Sequence, residues 1–173
     1  MTRYISTTDT AKLIRAQLKA KFPGVKFSVR SDIYSGGSSI RVGWTDGPTG
    51  DDVKAVTSNF AGGGFDGMID MAYSVTAYLL PDGSAAFAQT SGTEGSRGVV
   101  PAGKAFMPAP GAERVKFGAD YVFTDRAIST EFKTRVMAEF ERLYGPDRVS
   151  SVGFDWQADR DFYAILNATR RAA

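Results

Sequence analysis

The chain has 173 residues, of which 43% are hydrophobic and 23% charged, and its formal net charge is +2. This balance is typical of one globular domain with a continuous apolar core, and it argues against a disordered or fibrous chain. Because the sequence contains no cysteine and no histidine, disulfides, thiolate zinc sites and histidine-dependent nucleophiles are excluded.

A first helix is predicted between the hydroxyl-rich run "ISTTD" and the sequence "FPG". Its start can be capped by Ser6, Thr7 or Thr8. Pro23 and Gly24 are suited to ending it. One face carries the apolar side chains Ala11, Ile14, Leu18 and Phe22. The adjacent flank carries the cations Lys12, Arg15 and Lys19. The helix is therefore amphipathic with a basic edge.

Two strands with alternating apolar residues follow, "VKFSVR" and "SIRVGW". Val29 and Val42 are among the residues expected to face inward. The outward positions include Lys26, Arg30 and Arg41. The intervening "DIYSGGSS" contains Tyr34 and two glycines, Gly36 and Gly37, that allow positive φ. It leads into a strand and lacks the signatures of phosphate-binding loops, so a plain hairpin is favoured over a phosphate site.

A short second helix is predicted after Thr49, which can cap it with Asp52 three residues on. The glycines of "AGGGFDG" end this helix. The segments "MAYSVTAYLL" and "SAAFAQ" flank the turn signal "PDG" and indicate a second hairpin. Residues 90–112 show little periodicity and are expected to form an irregular loop or inserted arm.

The periodic pattern returns at "VKFGADYVFT", which predicts one further strand. A long helix follows, capped by Ser129 and ended by Gly145 and Pro146. Its apolar stripe consists of Phe132, Val136, Phe140 and Leu143. The final pieces "SVGFDW" and "FYAILNAT" are compatible with a third hairpin, although the second could equally be helical. Trp44 and Trp156 are expected to anchor the core.

These elements predict a single α+β domain over residues 1–173, with antiparallel β-hairpins packed against two or three helices. The expected order is α-β-β-α-β-β-β-α-β-β. Residues 75–114 are expected to form an inserted hairpin and irregular arm. No stretch approaches the ~20 apolar residues of a membrane span, and no secretory leader is recognisable, so a cytoplasmic location is expected.

Charge is distributed unevenly along the chain. Residues 1–44 carry eight basic and two acidic side chains, whereas residues 45–96 carry one basic and seven acidic ones. A candidate site for a partner or for nucleic acid comprises Lys12, Arg15, Lys19, Lys26, Arg30, Tyr34 and Arg41. If the first helix packs beside the first hairpin, these cations could form one phosphate-binding surface. A solvated face without a ligand is the alternative that the residues alone favour.

Asp66 and Asp70 in "FDGMID" are four residues apart, which on a helix would place both carboxylates on one face, as in a magnesium site. The segment is rich in glycine and no further ligand follows, so a structural role is favoured. The Asp125–Arg126 pair in "TDR" is expected to be a solvated or local ion pair. No metal, cofactor or catalytic residue is predicted.

Several motifs together resemble the large polyvalent protein-associated domain of type 29. They are "FPGVKFSVR", the serine-glycine loop before "SIRVGW", "FDGMID", and "DYVFTDR" ahead of the long helix. The resemblance covers most of residues 4–72 and 115–145, while residues 75–114 look like an addition to a shorter family pattern.

The resemblance implies an origin in phages, plasmids or integrative elements of bacteria. The leading hypothesis is a non-enzymatic counter-defence protein that binds a host defence complex, for instance a CRISPR surveillance complex, and inhibits or dismantles it. The alternative is a nucleic-acid-binding accessory module that uses the basic first helix and hairpin. A metal-dependent nuclease or transferase built on Asp66 and Asp70 is a third possibility. The oligomeric state is left open.

Overall fold

Five α-helices and eleven strands lie within the residues that the structure describes. The computed structural model describes residues 2–68, 70–86, 89–91, 99–101 and 108–169. The helices are α1 Thr7–Lys21, α2 Gly50–Thr57, α3 Thr130–Tyr144, α4 Pro146–Ser150 and α5 Trp156–Ala168. The strands are β1 Arg3–Ile5, β2 Ser28–Tyr34, β3 Gly37–Thr45, β4 Gly63–Asp66, β5 Met71–Ser74, β6 Ala77–Leu79, β7 Ala85–Ala86, β8 Gln89–Ser91, β9 Val99–Pro101, β10 Glu113–Phe117 and β11 Tyr121–Ala127.

The strands form two main sheets and two small ladders. One sheet has the order β11-β3-β2 and the other the order β1-β10-β6-β7, while β4 pairs with β5 and β8 with β9. The β1–β10 and β3–β11 pairings are parallel, and the other pairings are antiparallel. The predicted α+β class is confirmed. Strand β1 and the parallel pairings were not predicted. The alternation of apolar and polar residues along a segment does not show which distant strand pairs with it.

The first helix agrees with its prediction. The Ser6 hydroxyl accepts a hydrogen bond from the Asp9 N–H, and the helix ends at Lys21. Ala11, Ile14 and Leu18 are fully buried. Thr49 and Asp52 likewise form the predicted capping box of α2. Caps and apolar periodicity are local properties, which explains why they can be predicted from the residues themselves.

The first hairpin is longer and tighter than predicted. Tyr34 pairs with Gly37, so the turn between β2 and β3 consists of Ser35 and Gly36 alone. Gly36 has a φ of 93°, which favours glycine. Gly37 does not share this conformation and is the first residue of β3. The predicted loop over residues 32–39 is therefore mostly strand.

The main core lies between the β11-β3-β2 sheet, the β1-β10-β6-β7 sheet and helices α1 and α2. We call the α1-facing side of the β11-β3-β2 sheet its inner face. Val29, Ile40, Val42 and Trp44 from this face pack with α1 and with Val53 of α2. The second sheet contributes Phe117, whose ring centroid lies 5.2 Å from that of Phe60. Trp44 is thus the core anchor that was predicted.

The segment "VKFGADYVFT" forms two strands in different sheets and not the one strand predicted. β10 lies beside β1, and β11 lies beside β3. Gly118 between them donates its N–H to the Ile5 carbonyl. A Cβ at this position would lie 2.4 Å from the Tyr4 hydroxyl oxygen. The chain changes sheets where only glycine fits against the β1–α1 junction.

Residues 63–86 contain the expected hairpin, because β6 and β7 pair antiparallel across the "PDG" turn, but its first segment holds two strands, β5 and β6, where one was expected. β5, within "MAYSVTAYLL", pairs with β4, while β6 pairs with both β7 and β10. Asp66 ends β4 and Asp70 follows in the turn with a φ of 52°. The two aspartates are therefore not on a helix, and the shared helical face considered for a metal site does not exist. Most of residues 90–112 lies outside the described residues, but β8 and β9 form a strand pair where irregular chain was expected.

The C-terminal part is helical, so the hairpin alternative for "SVGFDW" and "FYAILNAT" is wrong. Helices α3 and α5 share a second apolar cluster, whose buried members are Phe132, Val136, Phe140, Phe162 and Leu166. Leu143 is 53% exposed and does not join the predicted stripe. Trp156 is 70% exposed at the start of α5, so its predicted role as a core anchor is also wrong.

A polar cluster attaches α3 and α5 to the sheet. The buried Asp46 carboxylate accepts hydrogen bonds from the Ser129 N–H and hydroxyl. The Arg126 guanidinium donates to five main-chain carbonyls, those of Asp46, Gly47, Leu166, Asn167 and Thr169. Burial lowers the pKa of Arg126, and the Asp46 charge opposes this shift. The predicted solvated or local "TDR" ion pair is not observed, because neighbouring residues of a strand face opposite sides.

Candidate functional site

The β11-β3-β2 sheet has one face that α1 and α2 leave uncovered, and we call it the outer face. Its larger side chains are Arg30, Asp32, Tyr34, Arg41, Tyr121, Phe123 and Asp125, all of which are exposed. The register places them in rows across the sheet, and the central row is Phe123, Arg41 and Arg30. Alternation along each strand directs these side chains away from the core.

Two arginines occupy the middle of the outer face. Arg30 and Arg41 are directly opposite each other in the β2–β3 ladder. Among the described residues, neither guanidinium has a carboxylate within salt-bridge distance. Like charges directly opposite in a sheet are destabilising by some tenths of a kcal/mol, up to about 1 kcal/mol. This pair is therefore an unneutralised cationic centre that an anion would stabilise.

Phe123 lies beside Arg41 on the outer face, Tyr121 lies next to Phe123, and Tyr34 lies at the turn between β2 and β3. The Tyr121 and Phe123 ring centroids are 6.1 Å apart with their planes at 25°. The Arg41 guanidinium carbon lies 5.5 Å from the Phe123 ring centroid, a cation–π contact that orients the guanidinium without neutralising it. A Cβ at Gly37 would lie 3.0 Å from Cε2 of Tyr34, so the Tyr34 ring lies over this glycine.

The rest of the outer face is mixed in charge. A shallow depression of about 400 Å³ continues from the arginine row, and its polar lining includes Lys26, Ser28, Thr45 and Asp125. Asp32 lies on the other side of the arginine row, opposite Ser39. Lys26, Arg30 and Arg41 thus lie along one part of the outer face, with Asp32 two residues beyond Arg30 on β2 and Asp125 beside Lys26 in the depression.

The predicted cations of α1 do not join this face, because α1 packs on the inner side of the sheet. Lys12 forms an ion pair with Asp9 at 2.8 Å. Arg15 donates to the Val29 carbonyl at the edge of β2, and Lys19 is exposed on the helix. The structure therefore brings together Lys26, Arg30, Tyr34 and Arg41, places Arg15 at the sheet edge, and leaves Lys12 and Lys19 on a separate surface. The role of all seven residues in binding a partner or nucleic acid stays a prediction.

Tyr121 and Phe123 were not among the predicted site residues. Their spacing of two in "YVFT" indicates that they share one side of a strand. Nothing in that spacing shows that β11 pairs in parallel with β3, which is what places Phe123 beside Arg41.

The outer face presents exposed cations and aromatic rings, groups that can contact anions and planar rings. The described part of the chain contains no group of three or more acidic side chains that could hold a metal ion. Nor does it contain a helix with the length and apolar character needed to cross a bilayer.

A comparison with protein-family models matches residues 5–129 to large polyvalent protein associated domain 29. The matched range continues through residues 75–114 and ends near the end of β11, before α3. It includes every residue of the outer face. No curated protein and no solved structure matches the chain.

Proposed function

This chain belongs to the large polyvalent protein associated domain 29 family, a mobile-element-related group, and we propose that it is a non-enzymatic nucleic-acid-binding module of a bacterial phage or conjugative element. The observation that carries the proposal is the unneutralised pair of Arg30 and Arg41 at the centre of an exposed sheet face. The module would act in the bacterial cytoplasm without a cofactor.

Phosphate groups suit this arginine pair. A guanidinium offers planar N–H donors that match phosphate oxygens, and each such contact releases a counter-ion from the nucleic acid. A phosphate near both arginines would also relieve their cross-strand repulsion, so that ligand binding and sheet stability favour the same arrangement. Lys26 adds a third cation to this part of the outer face.

The test is the salt dependence of binding in the single variant Arg30→Glu. This variant places a carboxylate opposite Arg41, so it removes one cation from the site and neutralises the other. We expect the slope of log affinity against log salt concentration to fall by about 1 to 2. The free energy of unfolding should stay equal or rise by up to about 1 kcal/mol, because an opposite-charge pair replaces a like-charge pair. Fluorescence anisotropy with oligonucleotides measures the first quantity and urea unfolding the second.

Lys54→Glu is the matched control, since both substitutions change the net charge from +2 to 0. Lys54 is exposed on α2, which packs on the inner face of the sheet, away from the outer face. Equal losses of affinity in both variants would mean that net charge and not the arginine pair drives binding. Binding that is absent, or insensitive to salt, in the unmodified protein would overturn the proposal.

A second candidate function is counter-defence, in which the protein binds a host defence complex such as a CRISPR surveillance complex and inhibits or dismantles it. One specific observation favours a protein partner. Helices α3 and α5 and the turn before α5 expose several large apolar side chains, namely Leu143, Tyr144, Phe154, Trp156 and Tyr163. Exposed aromatic side chains of this kind are enriched at protein interfaces.

This candidate predicts that a defence-complex subunit co-purifies with the tagged protein from a lysate of bacteria with an active defence system, and that nuclease treatment does not remove it. The double variant Phe154→Ser, Trp156→Ser should lose that subunit, because it removes two exposed aromatic rings that would contact the partner. Neither ring is buried in the core, so the substitutions should have little effect on folding. Arg30→Glu is the control and should retain it. Mass spectrometry of the eluates identifies the subunits that each variant retains. A subunit that the double variant still retains would show that it does not bind at this surface.

A further inference from the structure

The proposed function leaves open which form of nucleic acid the outer face binds, and the aromatic rings bear on that question. Tyr121 and Phe123 are 38% and 46% exposed. They lie on the same side of β11, and Phe123 is in the same row as Arg41 and Arg30. Two large rings next to two unneutralised guanidinium groups offer stacking surfaces and phosphate donors within one patch.

From this arrangement we infer that the outer face binds single-stranded nucleic acid, with unpaired bases stacked on Tyr121 and Phe123 and the phosphates at Arg30 and Arg41. The inference rests on the proposed function and adds the class of ligand. A base in a duplex has both faces covered by its neighbours, so an aromatic ring can reach only the face of an unpaired base.

The surroundings of the patch are unsuited to reading a duplex groove. A groove is entered by a helix or a projecting ribbon. Helices α1 and α2 pack on the inner face, and the turn between β2 and β3 has only the two residues Ser35 and Gly36. The three-stranded surface is instead an open platform on which a flexible strand can lie.

The charges on the face also indicate how such a strand is oriented. The cations Arg30 and Lys26 are on the β2 side, whereas the rings and Asp125 are on the β11 side. A carboxylate repels phosphate but can accept hydrogen bonds from base amino groups. The phosphates therefore follow Lys26, Arg30 and Arg41, and the bases lie toward β11. Asp32 limits the phosphate path beyond Arg30.

The experiment compares three fluorescein-labelled probes of equal length at low salt by anisotropy. They are an oligothymidylate, its duplex with oligoadenylate, and a strand of abasic sites, which keeps the phosphates and lacks the bases. We expect the oligothymidylate to bind more tightly than the other two. Phe123→Ala should weaken oligothymidylate binding roughly tenfold or more and leave the affinity for the abasic strand unchanged.

Two further variants test whether a loss of binding comes from the ring of Phe123 itself. Phe123→Leu retains apolar volume without a ring face, so it should show the same selective loss even if Phe123→Ala is unstable. Tyr4→Leu removes a ring that is 64% exposed on β1, in the other sheet, and should bind like the unmodified protein.

The possible results separate the inference from the proposed function. Equal affinity for duplex and single strand, or equal loss of abasic and oligothymidylate binding in Phe123→Ala, would overturn the inference while leaving salt-dependent binding at Arg30 and Arg41 intact. No binding of any probe by the unmodified protein would overturn both, and would direct attention to a protein partner.

Discussion

At the scale of single residues, Asp46 combines a left-handed backbone conformation with a buried side chain. It has a φ of 55° and is 1% exposed. Its two carboxylate oxygens accept from the N–H and the hydroxyl of Ser129, the residue that caps α3. An aspartate tolerates the left-handed conformation better than most residues, because its short polar side chain can hydrogen-bond locally. One side chain thus joins the end of β3 to the start of α3.

Substitution of Asp46 should separate the contribution of its hydrogen bonds to stability from the cost of its backbone conformation. Asp46→Ala loses the two hydrogen bonds with Ser129 and leaves the polar groups of Ser129 without that partner. It also keeps a Cβ at positive φ without the polar side chain that lets aspartate tolerate this conformation, so we expect a loss of about 3 kcal/mol in the free energy of unfolding. Asp46→Gly loses the same bonds without the backbone strain and should be about 1 kcal/mol more stable than the alanine variant. Urea unfolding measures both, and equal stability of the two variants would show that the backbone strain is no larger than the entropic cost of ordering glycine.

At the scale of elements, α4 and α5 are connected by an ion pair. Arg148 of α4 donates to Asp161 of α5 at 3.0 Å. The hydrogen bond from Arg148 lowers the pKa of Asp161 below the ordinary value of 3.8, and Arg160 contributes in the same direction. A carboxylate whose pKa is lowered by folding stabilises the folded state above its unfolded pKa. That contribution is lost as the pH falls through the lower, folded-state pKa.

Asp161→Asn should therefore be less stable than the unmodified protein at pH 7, and the difference in thermal midpoint should shrink as the pH is lowered below about 3.8. Thermal unfolding followed by circular dichroism over a pH series tests this expectation. Asp147→Asn is the control, because Asp147 is exposed on α4 and makes no side-chain hydrogen bond or salt bridge within the described structure. A difference for Asp161→Asn that is independent of pH would contradict the role assigned to the carboxylate charge.

At the scale of the whole molecule, two apolar clusters are joined by polar contacts. The main core lies between the two sheets with α1 and α2, and the second cluster lies between α3 and α5. Arg126 extends from β11 to the last carbonyls of α5. The same strand presents Phe123 to the outer face, because alternate residues of a strand point to opposite sides. β11 therefore anchors the C-terminal helices and completes the proposed binding surface.

The parts of this protein that the sequence by itself determined are those set by local chemistry. The caps Ser6, Thr49 and Ser129, and the alternation that points Arg30 and Arg41 outward, follow from neighbouring residues and were predicted. Composition also established a chain without cysteine or histidine. These features were predictable because the interacting groups are within a few positions of one another in the chain.

Only the tertiary structure decided which outward residues meet. The parallel β3–β11 register places Phe123 beside Arg41 across about eighty positions of sequence. The packing of α1 on the inner face separates Lys12 and Lys19 from Arg30 and Arg41. Alternation states which side of a strand a residue faces but not which strand lies beside it. That pairing depends on burying the apolar surfaces of all the elements together, which no single segment specifies.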